Sequence, residues 1–243
     1  MRGIMKKTLL VDVWSDVACP WCYVGKRRLE GALARFAHKD DVKVTWHAFE
    51  LDPSAPRKRP PGMSHAERIA KKYGMPLAKA EAASKHLVDV AAADGIEMRF
   101  DRIQSGNTFD AHRLIHLAGE RGVQDAVKER LLLGYFTEGE SMGDPEVLVR
   151  LASEGGLDAR EARALLASDR LTDEVREDER QAAELGIHGV PFFVIAGRFG
   201  LSGAQPVEVL LDALNQGWDA TKPPVSNEAA TNEGAVCGPD GCA

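Results

Sequence analysis

No hydrophobic run in this sequence approaches the roughly 20 residues that a membrane-spanning helix needs, so nothing in it reads as a bilayer span. Positive charge is also in deficit. Lys and Arg number 31 against 37 Asp and Glu, and a net charge of −6 offers no general field for a phosphate backbone, which excludes sequence-independent nucleic-acid binding. The N-terminal "MRGIMKKTLLVDVW" is positively charged. However, Asp12 interrupts its apolar run and no small-residue cleavage site follows, so it lacks the features of a secretory signal and a cytoplasmic location is expected. Cysteine is scarce, with four in 243 residues. In a reducing compartment structural disulfides are rare, and a cysteine pair there is more often catalytic or metal-binding. Hydrophobic residues, by contrast, make up 44% of the chain, enough for the core of one large domain or two smaller ones.

The four cysteines form two pairs, Cys19/Cys22 and Cys237/Cys242, at opposite ends of the chain. Their separation argues against a shared four-thiolate zinc site, because a zinc ribbon brings its two knuckles together within a short module; no bound metal is expected. The first pair lies in "SDVACPWCYVGKRRLEGAL". Before it, Thr8 to Trp14 is an apolar, β-rich run; after it, Pro20 suits the first turn of a helix, and Leu29, Leu33 and Phe36 continue at helical spacing. A strand therefore leads into a CxxC pair at a helix N-terminus. Unpaired N–H groups and the positive end of the helix dipole stabilise a thiolate there, which makes Cys19 the expected nucleophile. Cys22, one turn on, is placed to resolve the mixed disulfide that Cys19 forms.

A second strand is predicted over Val42 to Leu51, followed by a proline-rich break from Asp52 to Gly62. From Ser64 to Leu185 the pattern is almost wholly helical, with Ser, Thr or Asp at the starts, Gly at the ends, and one last acidic helix finishing near Gly186. Strands return at Pro191 to Gly197 and Arg198 to Gly203, and a closing helix runs from Pro206 to about Gln216. The order suggests an α/β frame split by a helical insert.

With Cys19-Pro20-Trp21-Cys22 after a strand, a long helical insertion, and Gly189-Val190-Pro191 opening the next strand, the chain resembles the DsbA family of thioredoxin-fold proteins. "SDVACPWC", "FEL" at Phe49 to Leu51 and "NTFDAHRL" at Asn107 to Leu114 resemble its FrnE-like branch. The resemblance implies an α/β thioredoxin fold made of residues 1–61 and 187–218, interrupted by an all-helical insertion at 62–186 and followed by a flexible tail at 219–243. It implies a cis bond before Pro191 beside the active site, which makes Pro191 a catalytic position with Cys19 and Cys22, and a Val190 backbone that pairs with an extended substrate. Pro20, Trp21 and Val190 then become substrate-binding positions. The implied activity is dithiol–disulfide exchange or disulfide isomerisation on protein thiols, with no cofactor beyond the redox-active cysteines and with a thioredoxin- or glutathione-type redox partner. A glutathione-dependent small-molecule isomerase, similar to 2-hydroxychromene-2-carboxylate isomerase, is the alternative. That group usually carries serine where Cys19 stands, and glutathione would be its co-substrate.

Other residues carry weaker signals. His112 and His116 have zinc-ligand spacing, yet no glutamate completes an H-E-x-x-H pattern, so helix-surface or interdomain positions are expected. Asn107 reads as a cap or a cleft residue. Asp16 is expected to cap the first helix or to serve as a base for Cys22, and Lys26 and Arg27 to face solvent. The tail from Asp219 to Val236 reads as a linker. Beyond it, Pro239-Asp240-Gly241 favours a turn that would let Cys237 and Cys242 form a second redox pair exchanging electrons with Cys19/Cys22.

Overall fold

The computed structural model describes residues 7–58 and 62–221. Its sheet has four strands in the order β2-β1-β3-β4: β1 (Leu9–Ser15), β2 (Val42–Ala48), β3 (Phe192–Ile195) and β4 (Phe199–Ser202). β1 and β2 are parallel and joined by α1 (Pro20–Arg35); β3 runs antiparallel to β1 and pairs with β4 as a hairpin, followed by α9 (Val207–Ala220). A βαβ unit and a ββα unit thus share β1 and β3 as the two inner strands.

Alternation along β1 explains the layering. Leu9, Val11 and Val13 are fully buried and share one core with Val24 and Leu29 of α1 and Leu210 and Leu214 of α9. Trp14, in the opposite phase, packs with Ala182 and Ile187 on the other side. Ala182 belongs to α8 (Thr172–Glu184), so that helix covers the second face of the sheet.

Between the strands stand α2 (His65–Tyr73), α3 (Leu77–Ala93), α4 (Phe109–Glu120), α5 (Gln124–Leu133), α6 (Pro145–Glu154), α7 (Ala159–Leu166) and α8. Their starts follow capping chemistry: Ser64 and Glu67 form a reciprocal capping box on α2, while Asp144 and Asp158 accept from the first free N–H groups of α6 and α7. The main core runs without a break from the sheet through Leu114, Leu117, Leu131 and Leu151 of these helices. β2 is an edge strand, and the Gln124 side chain meets it as a strand would, accepting from Trp46 N–H at 3.0 Å and donating to Trp46 C=O at 3.0 Å.

Two elements differ from expectation. The last acidic helix is two helices, because Arg113 on α4 donates to the carbonyls of Leu165, Ser168 and Arg170 and so fixes a break, with Leu171 at φ 63°. The closing helix continues past Gln216 to Ala220, since Gly217 lets it pass against β3, where an added Cβ would lie 2.6 Å from Ile195 Cγ2.

Candidate active site

Cys19 is the N-cap of α1 in an extended conformation (φ −94°, ψ 113°), and Pro20 occupies the first helical turn, where its missing N–H costs nothing. Cys22 N–H donates to Cys19 C=O at 3.0 Å, closing the turn. Both cysteines are free thiols, both are buried, and they hydrogen-bond to one another. Trp21, between them, is 38% exposed and is the outward face of the motif.

The Val190–Pro191 peptide is cis, and it sits directly against the cysteine turn. Cys19 Sγ donates to Val190 C=O at 3.4 Å. α1 approaches this loop through Gly25, where an added Cβ would lie 2.9 Å from Pro191 Cγ. The start of α1 and the start of β3, separated by the whole helical insert in sequence, therefore form one surface.

Asp16 does not cap α1. Its carboxylate is buried and accepts from Ala18 N–H at 3.2 Å and from Leu51 N–H at 2.9 Å, while His112 Nε2 on α4 lies 3.3 Å away. Burial works against its charge, but the His112 contact and the two backbone donors outweigh burial and hold the carboxyl below its ordinary range. Asp16 thereby ties together the end of β1, the segment after β2 and the insertion.

Lys128 of α5 completes the buried cluster. It is 1% exposed, and its ammonium donates to Ser15 C=O at 3.4 Å. Burial pulls it down to about 8 against the attraction of Cys22, Asp16 and Cys19. The two thiols titrate as a pair. Burial opposes ionisation of Cys22, yet the hydrogen bond from Cys19, the Lys128 charge and the Ser15 hydroxyl overcome it and lower the Cys22 thiol. Cys19 is pushed well up by its contact with Cys22, by burial and by the Cys22 charge. Helix placement alone favours a thiolate on Cys19, whereas the Lys128 charge acts on Cys22 and the Asp16 carboxylate disfavours charge on Cys19.

Other expected positions fall as follows. Lys26 is buried, not solvated, and its ammonium bridges Glu30, Asp125 at 3.1 Å and Glu129 at 3.2 Å. Arg27 joins the same network through Glu30, Glu129 and the Tyr23 hydroxyl. His112 and His116 reach different carboxylates, Asp16 at 3.3 Å and Asp178 at 2.8 Å, and each links α4 to another element. Asn107 accepts from Phe109 N–H at 2.9 Å at the start of α4 and donates to Glu50 at 3.1 Å, combining cap and cross-link. Cys237 and Cys242 lie outside the described residues.

Ser15 and Lys128 were not singled out from the sequence. The signal for Lys128 was available: Gln124, Val127, Lys128, Leu131 and Leu132 form one i, i+3, i+4, i+7, i+8 stripe of α5, and a lysine inside such a stripe marks a buried charge.

The DSBA-like thioredoxin domain family matches residues 10–215. The chain is similar to the crystal structure of a probable DsbA oxidoreductase, SCO1869, from Streptomyces coelicolor, with 46% identity, a TM-score of 0.82, and coverage of 97% of this chain and 98% of that one. It is also 29% identical over 210 residues to the uncharacterized protein YwbO of Bacillus subtilis (strain 168), covering 86% of this chain and 96% of that protein. A 2-hydroxychromene-2-carboxylate isomerase shares the fold at 20% identity and a TM-score of 0.64, over 85% of this chain and 95% of the isomerase. Because the family match runs from β1 into α9, it takes in the sheet, the cysteine turn, the helices between and the Pro191 strand together. The chain therefore belongs to the DSBA-like thioredoxin domain family, with an α/β thioredoxin fold interrupted by a helical insertion.

Proposed function

We propose that this protein is a thiol–disulfide oxidoreductase that acts on protein substrates through Cys19 and Cys22. The observation that carries this reading is the seat of Cys19 Sγ, at the N-cap of α1 and 3.4 Å from the Val190 carbonyl, with a second free thiol one turn behind it. Once Cys19 has lost its proton to solvent, its thiolate attacks one sulfur of a substrate disulfide. A Cys19–substrate bond forms as the substrate S–S bond breaks, and the released sulfur leaves as a thiolate. The Val190 carbonyl, no longer engaged by Cys19, is free to accept a hydrogen bond from an extended substrate backbone, and exposed Trp21 offers an apolar contact beside it.

Cys22 then gives up its proton and attacks Cys19 Sγ, the Cys19–Cys22 disulfide closes, the second substrate sulfur departs with the electron pair, and the two released thiolates take up the two protons through solvent. The substrate is reduced by two electrons and the cysteine pair is oxidised by two. A thiol reductant of the thioredoxin or glutathione type returns the pair to the free thiols, and the same steps in reverse introduce a disulfide. Residues 62–186 act as an insertion that covers the cysteine pair from behind and supplies His112 and Lys128. The presence of cysteine at position 19, together with Cys22, favours dithiol exchange over small-molecule isomerisation.

The test is reduction of insulin and of scrambled disulfides by the wild type, Cys19→Ser and Cys22→Ser. Loss of turnover in Cys19→Ser, with accumulation of a Cys19-linked mixed disulfide in Cys22→Ser, is the expected result. Normal turnover in Cys19→Ser overturns the proposal.

A further inference from the structure

Charge is unevenly spread along this chain. Acids outnumber bases 37 to 31 overall, yet from Pro53 to Ala80 there are seven Lys and Arg and one acidic residue, Glu67, which is engaged in the capping box of α2. Arg57, Lys58, Lys71 and Lys72 of this stretch are exposed. They stand next to the cysteine turn. Lys72 Nζ donates to Leu51 C=O at 3.4 Å, Leu51 N–H donates to Asp16, and Asp16 C=O accepts from Cys19 N–H at 3.3 Å. Arg57 reaches Asp110 at 2.9 Å in the first turn of α4, the helix that also brings His112 to Asp16.

The fold fixes the backbone of the segment after β2 and leaves its cations outside. Asn107 N–H donates to Pro56 C=O at 3.0 Å, and an added Cβ would lie 2.3 Å from the Arg57 carbonyl oxygen at Gly106 and 1.6 Å from it at Gly143, so two positions without side chains let this backbone lie flush. The Arg57 side chain nevertheless remains 64% exposed, and Lys58 and Lys71 have no partner among the described residues. On the other side of the Phe49–Leu51 segment the polarity reverses: α8, whose Glu179 accepts from Glu50 N–H, carries six acidic residues against two arginines. A field of one direction therefore crosses the mouth of the site, and fixed cations at one end of it concentrate and orient anions there.

We propose that Arg57 and Lys58 of the segment after β2, with Lys71 and Lys72 of α2, form a docking face for acidic segments of protein substrates, so that disulfides flanked by Asp and Glu are the preferred ones. This deepens the dithiol-exchange reading above and rests on it for its turnover readout. The acidic segment lies toward α2 and away from α8, and Coulomb attraction lowers KM without entering the sulfur chemistry.

The experiment compares kcat/KM for a disulfide peptide flanked by glutamates with that for its twin flanked by lysines. At about 10 mM salt, where charges act over about 30 Å, the wild type is expected to favour the acidic peptide about tenfold or more, through KM. At about 1 M salt, where that reach falls to about 3 Å, the ratio is expected within about twofold of unity. Lys58→Glu/Lys71→Glu should abolish the low-salt preference. Lys39→Glu/Lys43→Glu changes the net charge equally at the far end of the sheet, where Lys43 pairs with Leu10, and should keep it. A lesion of the fold would slow both peptides alike and leave the ratio where it was. Equal kcat/KM for the two peptides at low salt overturns the proposal without recourse to any variant, and so does a ratio that Lys58→Glu/Lys71→Glu leaves unmoved or that Lys39→Glu/Lys43→Glu removes as well. The same peptides with serine in place of both cysteines, followed by fluorescence anisotropy, read the surface without any chemistry, and the acidic one is expected to bind more tightly at low salt. Displacement of that peptide by a single-stranded oligonucleotide of equal charge more effectively than by unlabelled peptide overturns the assignment to protein segments. Absence of turnover with both peptides would defeat the oxidoreductase reading instead, and the anisotropy would still judge the docking face.

Discussion

Gly25 of α1 and Pro191 at the head of β3 approach so closely that a Cβ on Gly25 would stand 2.9 Å from Pro191 Cγ and 3.3 Å from Phe193 Cζ. The cysteine turn and the Val190 carbonyl meet because this helix carries no side chain at its crossing point. Gly25→Ala gains ~1 kcal/mol of helix propensity but forces a ring and a buried phenyl apart, an overpacking that costs about 1–3 kcal/mol. The expected outcome is modest net destabilisation in urea unfolding, with a larger fall in insulin reduction than the stability loss explains. Full activity in Gly25→Ala would show that the two segments need not touch.

Removing His112 should expose the dependence of Asp16 on its partners. Leaving a buried polar group without one of its hydrogen-bond partners typically costs about 1–3 kcal/mol, and His112→Ala is expected at the low end because two backbone N–H groups remain on Asp16. The Asp16 carboxyl is held below its ordinary range, so it contributes stability above that range and loses it as pH falls. In His112→Ala that contribution shrinks, and the acid limb of a stability–pH curve from denaturant titrations should move to higher pH.

A second charged cluster sets the opposite limb. His47 stacks on Trp14 with ring centroids 4.5 Å apart and lies between Asp178 Oδ1 at 2.7 Å and Asp12 Oδ1 at 3.0 Å. Burial opposes its charge, but the two carboxylates raise it from 6.5 to about 9. A raised cation stabilises the fold fully below about pH 6.5, and the contribution fades as pH climbs through about 9. Asp178, driven far down despite burial by His116, His47 and Ala48 N–H, contributes above the ordinary carboxylate range and fades in acid. Thermal unfolding across pH 5–10 should therefore show a decline on the alkaline side that His47→Gln flattens.

Trp21 is tested by separating binding from folding. With 38% of its surface exposed at the cysteine turn, Trp21→Ala should shift stability by no more than about 0.5 kcal/mol. KM for a protein substrate should rise several-fold while reduction of a small disulfide changes little. Equal loss on both substrates would place Trp21 in the chemistry of the cysteines rather than in substrate contact.

Much of this architecture was legible in the chain. Alternation at Leu9, Val11 and Val13, the Pro20 that opens α1, and the capping residues Ser64, Asp144 and Asp158 are local signals, and the elements they announce are present within a few residues. The break between α7 and α8 was not, because it is held by Arg113 from a helix some fifty residues earlier in the chain. Likewise the length of α9 depends on how Gly217 meets Ile195, a contact that no window of α9 contains.

The cysteine site divides in the same way. Sequence alone determined that two thiols would stand one helical turn apart at the start of α1, since Pro20 and the periodicity after it act over one or two turns of chain. Only the tertiary structure decided what surrounds the two thiols. That depends on Val190 reaching Cys19 across 171 positions, on His112 reaching Asp16 across 96, and on Lys128 reaching Ser15 across 113. Electrostatic energy follows distance through space and the loss of water around a buried group. A lysine whose place on α5 marks only a buried charge thus finds its partner, the Ser15 carbonyl, once the fold is packed.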